Sequence, residues 1–221
     1  VYDKAASELM RLGVLPNLVR LLGSRATDVA ASAASALGSL ATFANHRASI
    51  AASRGVAMLL RCLGEGSDRS VQEPACAALR ALALHSGVRE QLGRDAHALA
   101  PVVAVLSRGD AQAREASAGL LGSIALDVRG REAVLQAGAV QPLVRLLPLR
   151  HAPTQEAAAR AIKNLAFASD GAAQITKAGG TQPLVRMLKS GSDNLHAAAE
   201  AALEVLTMDP QTREQLFDSI Q

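Results

Sequence analysis

Two stretches decide the reading of this chain: Gln136-Ala137-Gly138-Ala139-Val140-Gln141-Pro142-Leu143-Val144-Arg145-Leu146-Leu147 and Lys177-Ala178-Gly179-Gly180-Thr181-Gln182-Pro183-Leu184-Val185-Arg186-Met187-Leu188. They are one segment written twice. Gly13 to Leu22 is a third copy, Gly55 to Leu63 a weaker one and His97 to Leu106 the weakest. A second segment follows each copy, with its first apolar anchor at Leu37, Leu79, Leu121, Ile162 and Leu203. A third, shorter segment carries an anchor at Leu9, Ile50, Leu92, Val134, Ile175 and Leu216. Both anchor series advance by 41 or 42 residues, and two independent series with one period identify tandem repeats. Five repeats are expected, at about 3–43, 45–84, 86–127, 128–168 and 170–208, with a partial sixth at 210–221, in a single domain spanning 1–221.

Each unit reads as three helices. The first is short, about two turns. The second holds the Pro-Leu-Val-Arg-Leu-Leu core, with proline near its start, where the N–H groups lack intrahelical partners anyway. The third is longest, about four turns, with small and apolar residues such as Ala33, Ala36, Leu37 and Leu40 on one face. Gly13, Gly55, Gly138 and the pair Gly179-Gly180 are expected to make the sharp turn between the first two helices. The third repeat has Asp95-Ala96-His97 there instead. Pro74 falls inside a third helix and predicts a late start or a kink. Gly38, Gly119 and Gly122 are expected to let third helices approach closely.

Composition agrees. Of 221 residues, 49% are hydrophobic but only 2% aromatic, with no Trp. Leu, Val, Ile and Ala dominate, and Ala and Leu lose little entropy in a helix. Lys plus Arg is 23 against 20 for Asp plus Glu, with no basic cluster, so no nucleic-acid partner is expected. The longest uncharged run of this kind, Val29 to Asn45 interrupted by no charge, is Ala- and Ser-rich and too weakly apolar for a membrane helix. Cys62 and Cys76 read as reduced thiols packed between helices, which fits an intracellular setting in cytoplasm or nucleus. The chain opens on Val1, and both ends fall in first-helix segments, so a longer chain or a larger complex is expected.

The three-helix unit, the 41–42 residue period and the Ala-Gly-Gly or Ala-Gly-Ala junction before Pro-Leu-Val together resemble armadillo repeats, over nearly the whole chain. Two-helix HEAT repeats lack this glycine junction, and tetratricopeptide and ankyrin repeats are shorter. The resemblance implies an all-α, right-handed α-solenoid whose third helices line a concave groove. In the family an Asn ladder in that groove holds an extended peptide. Here the ladder position is Ser39, Ala81, Ser123, Asn164 and Val205, and the position four residues earlier, Trp in importin-α-like members, is Ser35, Ala77, Gly119, Arg160 and Ala201. The missing Trp disfavours an importin-α-like cargo receptor.

No P-loop, GxGxxG, HExxH, GxSxG or Cys/His metal spacing occurs. The five histidines lie in different repeats and read as solvated or capping residues. No catalytic residue, cofactor or metal is expected. The leading function is a protein–protein interaction scaffold or adaptor. The alternative is the substrate-binding armadillo region of a larger U-box ubiquitin ligase. The expected binding residues are Arg80, Ser123, Arg160, Lys163 and Asn164, with Phe167 one turn beyond Asn164 at the groove edge. Their partner is expected to be an extended or helical acidic segment. Glu73, Glu115 and Glu156 align as solvated helix starts, where carboxylates favour the dipole.

Overall fold

The computed structural model describes residues 2–210 and 212–214. Helices follow one another in threes. The first three are α1 (Tyr2–Arg11), α2 (Val14–Leu21) and α3 (Thr27–Ala41), and the next are α4 (Ala44–Ala52), α5 (Gly55–Arg61) and α6 (Arg69–Leu82). Then come α7 (Ser86–Gly93), a 3-10 turn at Ala96–Leu99, α8 (Ala100–Arg108) and α9 (Ala111–Ile124). The remainder are α10 (Val128–Gln136), α11 (Val140–Leu146) and α12 (Ala152–Ala166), and α13 (Gly171–Lys177), α14 (Thr181–Leu188) and α15 (Asp193–Leu206). No strand occurs among the described residues. The anchor Leu216 and most of the partial sixth repeat at 210–221 lie outside them.

The third helices α3, α6, α9, α12 and α15 pack side by side as the spine of an α-solenoid, each against the next. Leu37, Leu79, Leu121 and Ile162 are fully buried, and Leu203 nearly so. Each such side chain contributes about 1.5–3 kcal/mol. One unit alone cannot cover its apolar face, so stacking is what buries the core. Of the short-segment anchors, Ile50, Leu92, Val134 and Ile175 are buried, whereas Leu9 is 48% exposed. Leu9 sits on α1, against whose far side no other first helix packs among the described residues.

Local chemistry sets the helix ends. Asp68 and Asp110 cap α6 and α9 by accepting from the backbone N–H of Ser70 and Ala113, at 2.8 Å each. His151 caps α12 by accepting from Thr154 N–H. One turn into the third helices, Arg114, Gln155 and His196 donate to the carbonyls of Ser107, Leu147 and Leu188, which satisfies the open C-terminal ends of the second helices. Arg47 and Arg89 do the same for third helices, donating to Ala41 and Thr42 and to Ala83 and Leu84.

Several local expectations change. Gly13, Gly138 and Gly179 take the left-handed conformation, but in the second repeat Arg54 does so, at φ 63°, and not Gly55. Gly55 serves a different need: a Cβ there would lie 2.8 Å from the Ile50 carbonyl oxygen. The third repeat replaces the glycine turn with the 3-10 turn, held by Asp95 accepting from His97 N–H. Pro74 neither delays nor breaks α6, which starts one period before α9, at Arg69 against Ala111. His46 is buried rather than solvated, edge-on to Phe43 with ring centroids 6.1 Å apart.

Candidate partner-binding groove

A third helix repeats its face every three or four residues. In α6 this places Ala77, Arg80 and Ala81 in one line, with Leu84 just past the helix end, and in α12 Arg160, Lys163 and Asn164, with Phe167 just past its end. The opposite side of each helix is the buried spine. The exposed face is concave: Ser35, Gly38 and Ser39 of α3, Arg80, Ala81 and Leu84, and Ser123 of α9 line one hollow of about 530 Å³ that crosses three helices.

Glycine shapes this floor in two ways. A Cβ on Gly38 would stand 3.3 Å from Ala78 Cα, and one on Gly122 would stand 3.3 Å from Ala161 Cα. The α3–α6 and α9–α12 pairs are therefore drawn tightly together. Gly119 does not serve helix approach as expected. A Cβ there would meet Arg80 Cδ at 2.9 Å, so the bare glycine surface is the seat of the Arg80 side chain. Arg80 is half-buried and forms no ion pair among the described residues.

The other expected binding residues differ in how free they are. Arg160 is exposed but pairs with Glu156 one turn earlier, at 3.1 Å. Lys163 is half-buried without an ion pair among the described residues. Ser123 donates its hydroxyl back to Gly119 O at 2.9 Å, and Ser39 does the same to Ser35 O at 3.0 Å. Asn164 donates to Gly122 O at 2.9 Å. Gly122 is in the last turn of α9, where carbonyls lack helical partners, so this amide first of all ties two third helices together. Its Oδ1 accepts no bond among the described residues. Val205, the ladder residue of the fifth repeat, is buried and not presented. Phe167 is exposed and lines a separate hollow of about 410 Å³ with Val128 and Arg131 of α10.

The Asn164 bond can be weighed directly. Asn164→Leu keeps the branched shape at a somewhat larger volume and removes the donor, and is expected to lower stability by about 1 kcal/mol. Urea unfolding with unchanged helical signal in the native baseline reads this. An unchanged midpoint would mean that the bond contributes nothing.

Cys76 is buried, and burial followed by the nearby Glu73 charge pushes its thiol up to about 12. Burial also raises the Cys62 thiol. Neither supplies a thiolate near neutral pH. No cluster of three or more potential metal ligands occurs among the described residues. No described helix is long and apolar enough to cross a membrane.

Residues 127–167 match the Armadillo/beta-catenin-like repeat. No curated protein matches the chain by sequence. An engineered protein solved by the Northeast Structural Genomics Consortium is similar over 92% of this chain and 86% of its own, at 27% identity and a TM-score of 0.86. The designed armadillo repeat protein YIII(Dq)4CqI is similar over 92% and 86%, at 25% identity and a TM-score of 0.83. A further designed armadillo repeat protein, solved in complex with the peptide (KR)4, shares the fold at 22% identity and a TM-score of 0.82, over 92% and 87%. With its helices in stacked threes, its matched repeat and these structural relatives, the chain is an armadillo-repeat solenoid.

Proposed function

We propose that this chain is a non-catalytic protein-binding scaffold that holds a peptide segment of its partner along the concave face of its third helices. The observation that carries the reading is the hollow across α3, α6 and α9, floored by small residues and holding a seated, unpaired Arg80. Such a floor admits a main chain, and a half-buried cation without a carboxylate is open to one from outside. The designed relative solved with (KR)4 supports peptide binding as a use of the fold.

The charge preference here is the opposite of that basic peptide. Arg80 and Lys163 are uncommitted, while Arg160 is already paired, so an acidic segment is the favoured partner. Fluorescence anisotropy with labelled poly-glutamate and (KR)4 peptides tests this. The acidic probe is expected to bind more tightly, and Arg80→Glu/Lys163→Glu is expected to abolish its binding with the melting temperature unchanged. Tighter binding of (KR)4, or acidic binding untouched by the double variant, would move the site or reverse its polarity.

A further inference from the structure

From the second repeat on, every third helix is followed at its C-terminal end by an exposed apolar side chain. Leu84, Leu126, Phe167 and Met208 are 56%, 55%, 54% and 64% exposed. Each stands five residues after the buried anchor of its helix, Leu79, Leu121, Ile162 or Leu203, so the row recurs once per repeat at one helical position. Thr42 holds that position in the first repeat. Isolated exposed apolar residues are ordinary. Four in register are a patterned row, and Leu84 lies in the groove hollow itself.

Charge across the groove is also ordered. Arg80 and Lys163 precede Leu84 and Phe167 by four residues, one turn away on the same face. Glu73, Glu115 and Glu156 precede Leu84, Leu126 and Phe167 by eleven residues, about 16 Å along the helix at 1.5 Å per residue. Beyond the row, Glu132 and Asp170 stand beside Phe167 on its outer side, with Arg131. In the second to fourth repeats the groove thus runs from an acidic edge, past Arg80 and Lys163 with Gly122 between them, to an apolar lip, and Glu204 holds the cation's position in the fifth.

We propose that the lip reads the register of the bound segment: it takes an extended acidic peptide with an apolar side chain at every third residue, whose intervening carboxylates lie over Arg80 and Lys163. This rests on the groove reading above and adds the sequence pattern of the partner. Packed helices stand about 8–10 Å apart. Three residues of extended chain in the polyproline II form make one turn and cover about 9 Å, which returns every third side chain to the same side, so each repeat offers one apolar contact to one side chain in three. A helix with heptad spacing would match the step as well, but it has no spare N–H for the open Oδ1 of Asn164.

The probes are three labelled peptides of about twelve residues with one composition of Leu, Asp and Glu: Leu at every third position, Leu on a heptad, and a scrambled order. The every-third peptide is expected to bind about tenfold more tightly than the others. Leu126→Asp/Phe167→Asp is expected to erase that preference at an unchanged melting temperature. Equal affinity for the every-third and scrambled orders, still weakened by Arg80→Glu/Lys163→Glu, would overturn the lip and leave the groove. Tightest binding of the heptad order would replace the extended occupant with a helix. Binding of none of the three would overturn both the lip and the groove reading.

Discussion

Leu121→Ala is expected to lower the free energy of unfolding by about 2–5 kcal/mol. Leu121 is fully buried in α9, which is packed between α6 and α12. Removing its branched end costs the transfer term and leaves a cavity. The cavity cannot readily close, because Gly122 already brings α9 against Ala161 of α12. The same substitution at Leu126, just past the end of this helix but 55% exposed, is expected to change stability by less than about 0.5 kcal/mol. The pair separates core packing from any general effect of losing a leucine near α9. Stability in a solenoid is approximately a sum of unit and interface terms, so the central position also weakens two interfaces together. Urea unfolding of the two variants decides the matter, and a change below about 0.5 kcal/mol at Leu121 would remove it from the core.

The spine was legible in the sequence because its cause is local and periodic. An anchor must be large and apolar at one place in each repeat, and Leu37, Leu79, Leu121, Ile162 and Leu203 meet that need whatever surrounds them. The groove was harder to read, because each of its residues acts through a neighbour from another repeat. Gly119 looks like any small helix residue until Arg80, thirty-nine positions away in sequence, is found lying on it. Asn164 looks like a free ladder amide until Gly122 O is found within bonding reach. By contrast, the Glu156–Arg160 pair could have been read from its four-residue spacing. So could the lip, which is the column of residues five after each anchor; of these, Phe167 alone also follows a ladder Asn. The second junction is hard to read for a different reason. In Arg54-Gly55 the turn and the close approach fall on separate residues, and only a backbone angle tells which residue does which.

Gly130→Ala and Gly171→Ala set two effects of opposite sign against each other. Both glycines lie in first helices, Gly130 within α10 and Gly171 at the start of α13, where alanine is favoured by up to about 1 kcal/mol on propensity alone. On packing, both substitutions fail: an added Cβ at Gly130 would overlap the Ile124 carbonyl oxygen, and one at Gly171 the Leu165 carbonyl oxygen. Those oxygens belong to the ends of α9 and α12, so no rotamer change relieves the contact and a whole helix must shift. Overpacking of this kind costs about 1–3 kcal/mol, and sometimes more, which exceeds the propensity gain. The equivalent positions in α4 and α7 hold His46 and Val88, both buried, so those repeats place a larger side chain there and only Gly130 and Gly171 leave the helix against the carbonyl. Each variant is therefore expected to be destabilised, and α10 and α13 are expected to lose amide hydrogen-exchange protection first. The two sites belong to successive repeats without shared partners, so the double variant should lose close to the sum. A rise in stability in either variant would show that propensity wins and that the first helices slide freely over the ends of the spine.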